Sequence, residues 1–235
     1  MKVSTRQNKK LIALPTEDEI GATVRCLKTE KAPGAHGMTA EVVKEIWADA
    51  RQDVIDFILT LREVVGDVVD PEQKGFIKDR HITNNILNYL VSQEWAEVSE
   101  QPAIFVKLDF EKAYDRVDHS YLWETMAAMG FDEKFFSLTQ GLVQGSTSKI
   151  HVNGKFSEDI QIQRGVKQGC PLAPFLFAIS TQPLMEILKA RQAEGSLRGV
   201  TLHGSASALY NLFADDTGVL LLADPENFTA LQSAV

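Results

Sequence analysis

The sequence predicts an α+β chain, with helices on one face of a small antiparallel sheet and a nearly all-helical stretch ahead of it. Three observations carry this. Apolar residues recur at helical spacing through much of the first hundred positions. Past residue 100 the order becomes strand, helices, hairpin, long helix, hairpin. Two tight-turn signals, Asn153-Gly154 and Ala214-Asp215-Asp216, each fall between extended runs. The chain accordingly divides into a leader without clear order (1–14), a helical N-terminal part (15–100) and a sheet-bearing part (101–235).

The elements follow in order. Thr16 is placed to cap a first helix, with Glu19 three residues on. Ile20, Val24 and Leu27 then repeat on one face. The turn-rich segment 31–37 precedes a second helix, capped by Thr39 and carrying Val42, Val43, Ile46 and Trp47. A separate helix over about 51–65 carries Val54, Ile55, Ile58, Leu59 and Leu61. Gly66 and Pro71 punctuate, and helix resumes near Asn84 with Ile86, Leu87, Leu90 and Val91. The apolar run Ala103 to Asp109 reads as a buried strand. Asp118 caps the next helix and Gly130 ends it, and Phe131 to Leu142 forms another. Asn153-Gly154 closes a hairpin, and Ile160 to Gln163 alternates as a strand. A long helix runs from about Ala173 to Gln192 with Pro183 inside it. Strands Ala208–Phe213 and Thr217–Leu222 close the pattern.

Composition narrows the class. With 235 residues, 44% hydrophobic and 24% charged, the chain is long enough to bury a core and is not a disordered polymer. The two cysteines, Cys26 and Cys170, lie far apart without zinc or disulfide spacing. The apolar run Leu11 to Leu14 is broken by Pro15, too short for a signal peptide, and no run reaches membrane-spanning length. The expectation is an intracellular protein without a membrane partner. The net charge is −8, with +3 over residues 1–37 and −11 over the remainder. By charge alone this argues against nucleic-acid binding, which rests on basic side chains at phosphates.

Three acidic residues run the other way. Asp109 ends the expected strand, and Asp215 and Asp216 occupy a hairpin tip between apolar strands. A carboxylate at a buried strand end is costly without compensation. Three that converge suit a hard cation such as Mg²⁺, which takes oxygen ligands and leaves positions for phosphate. Taken singly, each has a blander reading. Asp-Asp favours turns on its own account, and Asp109 could cap a helix or pair on the surface.

The surrounding wording decides between these. Val106-Lys-Leu-Asp109-Phe-Glu-Lys-Ala-Tyr114-Asp-Arg-Val117 resembles the first palm motif of LINE-type (non-LTR) reverse transcriptases. Arg164-Gly-Val-Lys-Gln168-Gly169-Cys-Pro-Leu-Ala-Pro174-Phe-Leu-Phe177 resembles the second, and Phe213-Ala-Asp215-Asp216 the third, in the family's order. Further forward, Pro15 to Ile20, Lys31 to Gly37 and Gln73-Lys-Gly-Phe76-Ile-Lys-Asp-Arg80-His-Ile82 are similar to segments ahead of and within the fingers. The similarity covers most of residues 15–235. It implies a right-hand polymerase palm with part of the fingers, acting as an RNA-directed DNA polymerase on an RNA template, a DNA primer and dNTP.

The resemblance also assigns roles. Asp109 and Asp215 would be direct ligands of two Mg²⁺ ions (Mn²⁺ as a substitute), with the Phe110 carbonyl adding an oxygen and Asp216 completing the acidic cluster. A primer 3′-hydroxyl would attack the α-phosphate of the dNTP and pyrophosphate would leave. Tyr114 would lie under the sugar and exclude a 2′-hydroxyl. Its blander reading is a core aromatic. Gln168 and Gly169 would contact the dNTP and the templating pair, or simply turn the chain into the following helix. Lys112 and Arg164 would meet phosphates, or remain solvated surface bases. Cys170 is expected as a packed small residue.

Two departures from the family stand out. Between Leu61 and Asp70 the chain crosses directly where the family has a long fingers segment with basic residues, and local disorder or improvised packing is expected there. It also stops at Val235, before the rest of the palm and the thumb. The chain alone is therefore expected to polymerise poorly or not at all. The competing reading is a non-catalytic remnant, or a domesticated RNA-binding or scaffold protein. A group II intron maturase-like or telomerase-like relative is a third, less consistent with the Lys-Ala-Pro-Gly and Gln-Gly-Cys-Pro-Leu wording.

Overall fold

The computed structural model describes Asp18, Ala22 and Arg25 together with residues 40–145, 147–166, 170–202, 207–208 and 210–235. The leader (1–14), the segment 31–37 and the pair Gln168-Gly169 lie outside the described residues.

Residues Ala40–Val68 form one long helix, α1, where two were expected. Nothing breaks the backbone between them: Ala48-Asp-Ala-Arg-Gln52 holds neither glycine nor proline, and its alanines, Arg51 and Gln52 favour helix. Gly66 does not end α1 either; the helix stops just before the Asp70-Pro71 turn. The stretch from Leu61 to Asp70, where local disorder or improvised packing was expected, is packed into the core. Leu61, Val65 and Val69 are buried in the core. The Asp70 carboxylate is held by Lys189, and its backbone N–H donates to Gln182 Oε1 at 2.8 Å. A direct connection packs well here because a helical register keeps Leu61 and Val65 on one face.

α2 (Ile82–Val98) leads into β1 (Ala103–Leu108). The short α3 (Ala113–Arg116), unforeseen, leads to α4 (His119–Ala128) and α5 (Glu133–Val143). Asp118 caps α4 as expected, its side chain accepting from the N–H groups of Ser120 and Tyr121. Two small ladders follow: β2 (Thr147–Ser148) pairs with β5 (Ile160–Gln161), and β3 (His151–Val152) with β4 (Lys155–Phe156). The β3–β4 turn places Asn153 and Gly154 both at positive φ, 48° and 78°, as a two-residue hairpin requires. α6 (Ala173–Ala193) comes next, with Pro183 inside it. β6 (Val200–Thr201) pairs with β7 (Ser207–Ala208). β8 (Tyr210–Phe213), β9 (Asp216–Leu222) and α7 (Pro225–Gln232) complete the chain.

The main sheet is antiparallel in the order β1-β9-β8. β9 is central and its residues Thr217 to Leu221 are buried. β1 is an edge strand, and here the expectation of burial fails: Ala103, Ile104 and Phe105 are exposed, and only Val106 and Leu108 turn partly inward. An unbroken apolar run reads as buried on both faces, but β1 has a neighbouring strand on one flank only, so its outer flank stays open to solvent. α6 is the spine. Its first half sends Phe175, Leu176, Phe177 and Ile179 into a core shared with α1 and α4. Its second half sends Met185 and Leu188 against Leu212, Val219 and Leu221 of the sheet. The result is α+β, with helices backing a small antiparallel sheet. No helix among the described residues is long and apolar enough to cross a membrane.

Candidate active site

The site lies where the tip of the β8–β9 hairpin meets the end of β1. Leu108 is in register with Thr217, so the next residue, Asp109, comes beside Asp216. Phe213 pairs with Asp216 across a two-residue turn of Ala214 and Asp215. Ala214 has φ +54°, the left-handed conformation that such a turn needs and that a Cβ makes unfavourable. Antiparallel pairing thus brings Asp109 to the same sheet end as Asp215 and Asp216, more than a hundred residues further along the chain. Asp109 and Asp216 are exposed and Asp215 is half-buried.

A cation of the protein already answers them. Lys107 Nζ lies 2.7 Å from Asp216 Oδ1. The hydrogen bond to Asp216 and that carboxylate's charge hold the ammonium above the ordinary lysine range, with Asp109 and Asp215 adding to the effect. Lys107 was not singled out from the sequence, although strand alternation puts it on the same face as Asp109. Among the described residues no three His, Cys, Asp or Glu side chains converge tightly enough to cage a metal on their own. The donor set still fits Mg²⁺, which commonly takes one or two carboxylates and completes its shell with water and substrate phosphates.

Tyr114 stands behind the turn. Its ring stacks on Phe177, with centroids 4.7 Å apart and planes 17° from parallel. Its hydroxyl is buried without a hydrogen-bond partner. Burial pushes the phenol up to about 12, and the nearby Asp215 charge adds to this, so the hydroxyl keeps its proton across the neutral range. Phe110 is half-buried against the same core. Lys112 is exposed, with φ +53°, at the start of α3.

The second motif is moored to the first through its leading residues. Gly165 N–H donates to Val117 O at 2.7 Å and Val166 N–H to Tyr114 O at 2.8 Å. His119 Nε2 lies 2.9 Å from Gly165 O. Gly165 has φ +91°, and a Cβ there would fall 2.9 Å from Asp115 O, so the close approach needs glycine. Arg164 pairs with Asp118, Nε to Oδ2 at 3.3 Å. Of the residues expected at the site, Asp109, Asp215, Asp216 and Tyr114 come together. Arg164 is turned toward the α4 cap, Lys112 stands at the start of α3, and Gln168 and Gly169 lie outside the described residues. Cys170 is a free, partly buried thiol packed against the core.

This combination of antiparallel sheet, acidic hairpin tip and long supporting helix defines a polymerase palm. The profile described as reverse transcriptase (RNA-dependent DNA polymerase) matches residues 53–234. The chain belongs to the reverse-transcriptase family, on its non-LTR, LINE-type side. It is 34% identical to the Pol polyprotein of the type-1 retrotransposable element R2 of Popillia japonica, over 75% of this chain and 24% of the relative. It is 24% identical to the uncharacterized 149 kDa protein of transposon TX1 of Xenopus laevis, over 94% of this chain and 20% of the relative. That alignment runs over 273 positions, more than the 235 residues here, so the relative carries segments without a counterpart in this chain. The chain thus spans a quarter or less of these relatives. Among solved structures, telomerase from Candida albicans in complex with a fragment of telomeric RNA aligns with TM-score 0.60 at 10% identity, covering 83% of this chain and 34% of that one. Apo telomerase from Candida tropicalis truncated from its C-terminal domain aligns with TM-score 0.57 at 11% identity, covering 83% and 39%. At such identities the likeness concerns the fold.

Proposed function

We propose that the chain is the catalytic palm of an RNA-directed DNA polymerase, adding dNTP to a primer 3′-hydroxyl at the Asp109–Asp215–Asp216 cluster. The observation that carries this reading is the register of β1, β9 and β8, which gathers the three carboxylates at one sheet end around a single lysine. Asp109 and Asp215 would hold the divalent ions, Mg²⁺ or in its place Mn²⁺, with the Phe110 carbonyl as a further oxygen. Bound there, such ions neutralise phosphate charge and favour in-line displacement.

The remaining work belongs to the chain's own groups. Asp216, paired with Lys107, keeps the ammonium beside the cluster. Tyr114, fixed by its stack on Phe177, would present a flat wall to the nucleotide sugar and leave little room for a 2′-hydroxyl. Lys112 and Arg164, within the first two motifs, would meet phosphates, Arg164 after leaving Asp118. Gln168 and Gly169 would contact the dNTP and its templating base. RNA template and DNA primer are the proposed partners.

Template-directed extension of a primed RNA, compared with Asp215→Ala, tests the reading. The expected result is weak extension that disappears in the variant, since the chain lacks counterparts of segments its relatives carry. Extension that persists at equal rate in Asp215→Ala would overturn it.

A further inference from the structure

The segment 73–80, similar to part of the family's fingers, reaches the acidic turn directly. Gln73 is almost fully buried, with 1% of its surface exposed. Its Oε1 accepts from Ala214 N–H at 2.8 Å and from Gly75 N–H at 2.9 Å. Its Nε2 donates to Ala214 O at 3.1 Å. One side chain thus satisfies both backbone groups of the left-handed residue next to Asp215.

The neighbours of Gln73 complete a clamp. Lys74 N–H donates to Leu212 O at 2.9 Å and Leu212 N–H to Glu72 O at 3.3 Å, so residues 72–74 run along the outer edge of β8. Asn85 Nδ2 reaches the same Leu212 carbonyl at 2.8 Å. Gly75 sits so close that a Cβ would fall 2.3 Å from Ala214 N. The segment itself is pinned by Arg80, whose guanidinium donates to the carbonyls of Gly66, Val69, Asp70 and Gln73. Five donors in a rigid fork suit four converging carbonyls in a way that a lysine does not.

We infer that Gln73 is a positioning residue for the acidic site: by holding both backbone groups of Ala214, it fixes the strained turn that aims Asp215, with Arg80 holding Gln73 in place. The inference rests on the reading of Asp109 and Asp215 as metal-holding groups. Supporting groups of this kind typically change metal affinity about 10- to 100-fold when removed.

The test uses the full chain, with Mn²⁺ as probe and free Mn²⁺ followed by electron paramagnetic resonance. Gln73→Met keeps the length of the side chain and removes its hydrogen bonds. Expected are an affinity at least about tenfold weaker and fast amide exchange at Ala214 and Asp215, while α6 amides stay protected. Leu122→Ala, a change at a fully buried core position of α4 outside the β8–β9 hairpin, is the control for stability loss and should keep wild-type affinity. Affinity within about twofold of wild type in folded Gln73→Met would overturn the inference, as would equal weakening in Leu122→Ala. If Gln73→Met does not fold, the wild-type Ala214 amide decides. Among the described residues its acceptor is Gln73 Oε1, so protection supports the clamp and free exchange overturns it. Absence of Asp215-dependent Mn²⁺ binding in the wild type would instead count against the proposed function, and the amide exchange would still test the clamp.

Discussion

Asp118 shows how one side chain links two of the motifs. It caps α4, and it pairs with Arg164 at the head of the second motif. The Ser120 hydroxyl and the Tyr121 N–H hold its carboxyl below its usual value of 3.8, with Arg164 adding to this. A depressed folded value contributes stability that is present above the unfolded pKa and lost as pH falls through the folded one. Asp118→Asn should therefore lower stability at neutral pH and cost progressively less as the solution becomes strongly acidic. Urea unfolding at a series of pH values measures this, and a difference independent of pH would contradict it. Asp118 was legible as a cap because Asp before a helical repeat has a local meaning. Its pairing with Arg164 was not, because that depends on the backbone bonds between 165–166 and 114–117.

The β8–β9 hairpin is the element on which the site depends. Its inner face packs Leu212, Val219 and Leu221 onto Met185 and Leu188 of α6. Leu221 is fully buried, so Leu221→Ala should cost about 2–5 kcal/mol, set by how far the site collapses around the missing methyl groups. The measurement is chemical denaturation of both forms. A change below about 1 kcal/mol would mean that the hairpin does not pack on α6 as described. The opposite face carries Phe105 against Tyr89, with ring centroids 4.7 Å apart. The Phe105 ring lies over Gly218, where a Cβ would meet it at 2.5 Å. The hairpin was readable from its apolar strands and central Asp-Asp. The single helix α1 was read as two because local pattern does not say whether two helical stretches in one register are joined.

For the whole chain the balance of charge matters. The net charge is −8, and many cations are already engaged: Lys107 with Asp216, Arg116 with Glu111, Lys149 with Asp159, Lys189 with Asp70, Arg198 with Asp224. All but the Asp70 pair, whose carboxylate is buried, are surface pairs that add little stability, but together they leave fewer free cations for phosphates. The chain should therefore bind a primed RNA template weakly, with a shallow dependence of affinity on salt. Fluorescence anisotropy across a salt series tests this, and a steep slope would indicate a phosphate-binding surface that the ion pairs do not predict.

The sequence by itself determined the lineage and most of the order of the elements, though not the joining of α1 or the short α3, and it singled out the acidic residues, because each is written in local wording and spacing. It also marked Gln73 to Arg80 as part of the family pattern without showing their purpose. Only the tertiary structure decided that β1 is an edge strand, that Lys107 stands among the aspartates, and that Gln73 bonds to Ala214 across more than a hundred residues. These are pairings between distant segments. Their partners are chosen by sheet register and by the packing of α6, which no short stretch of sequence encodes.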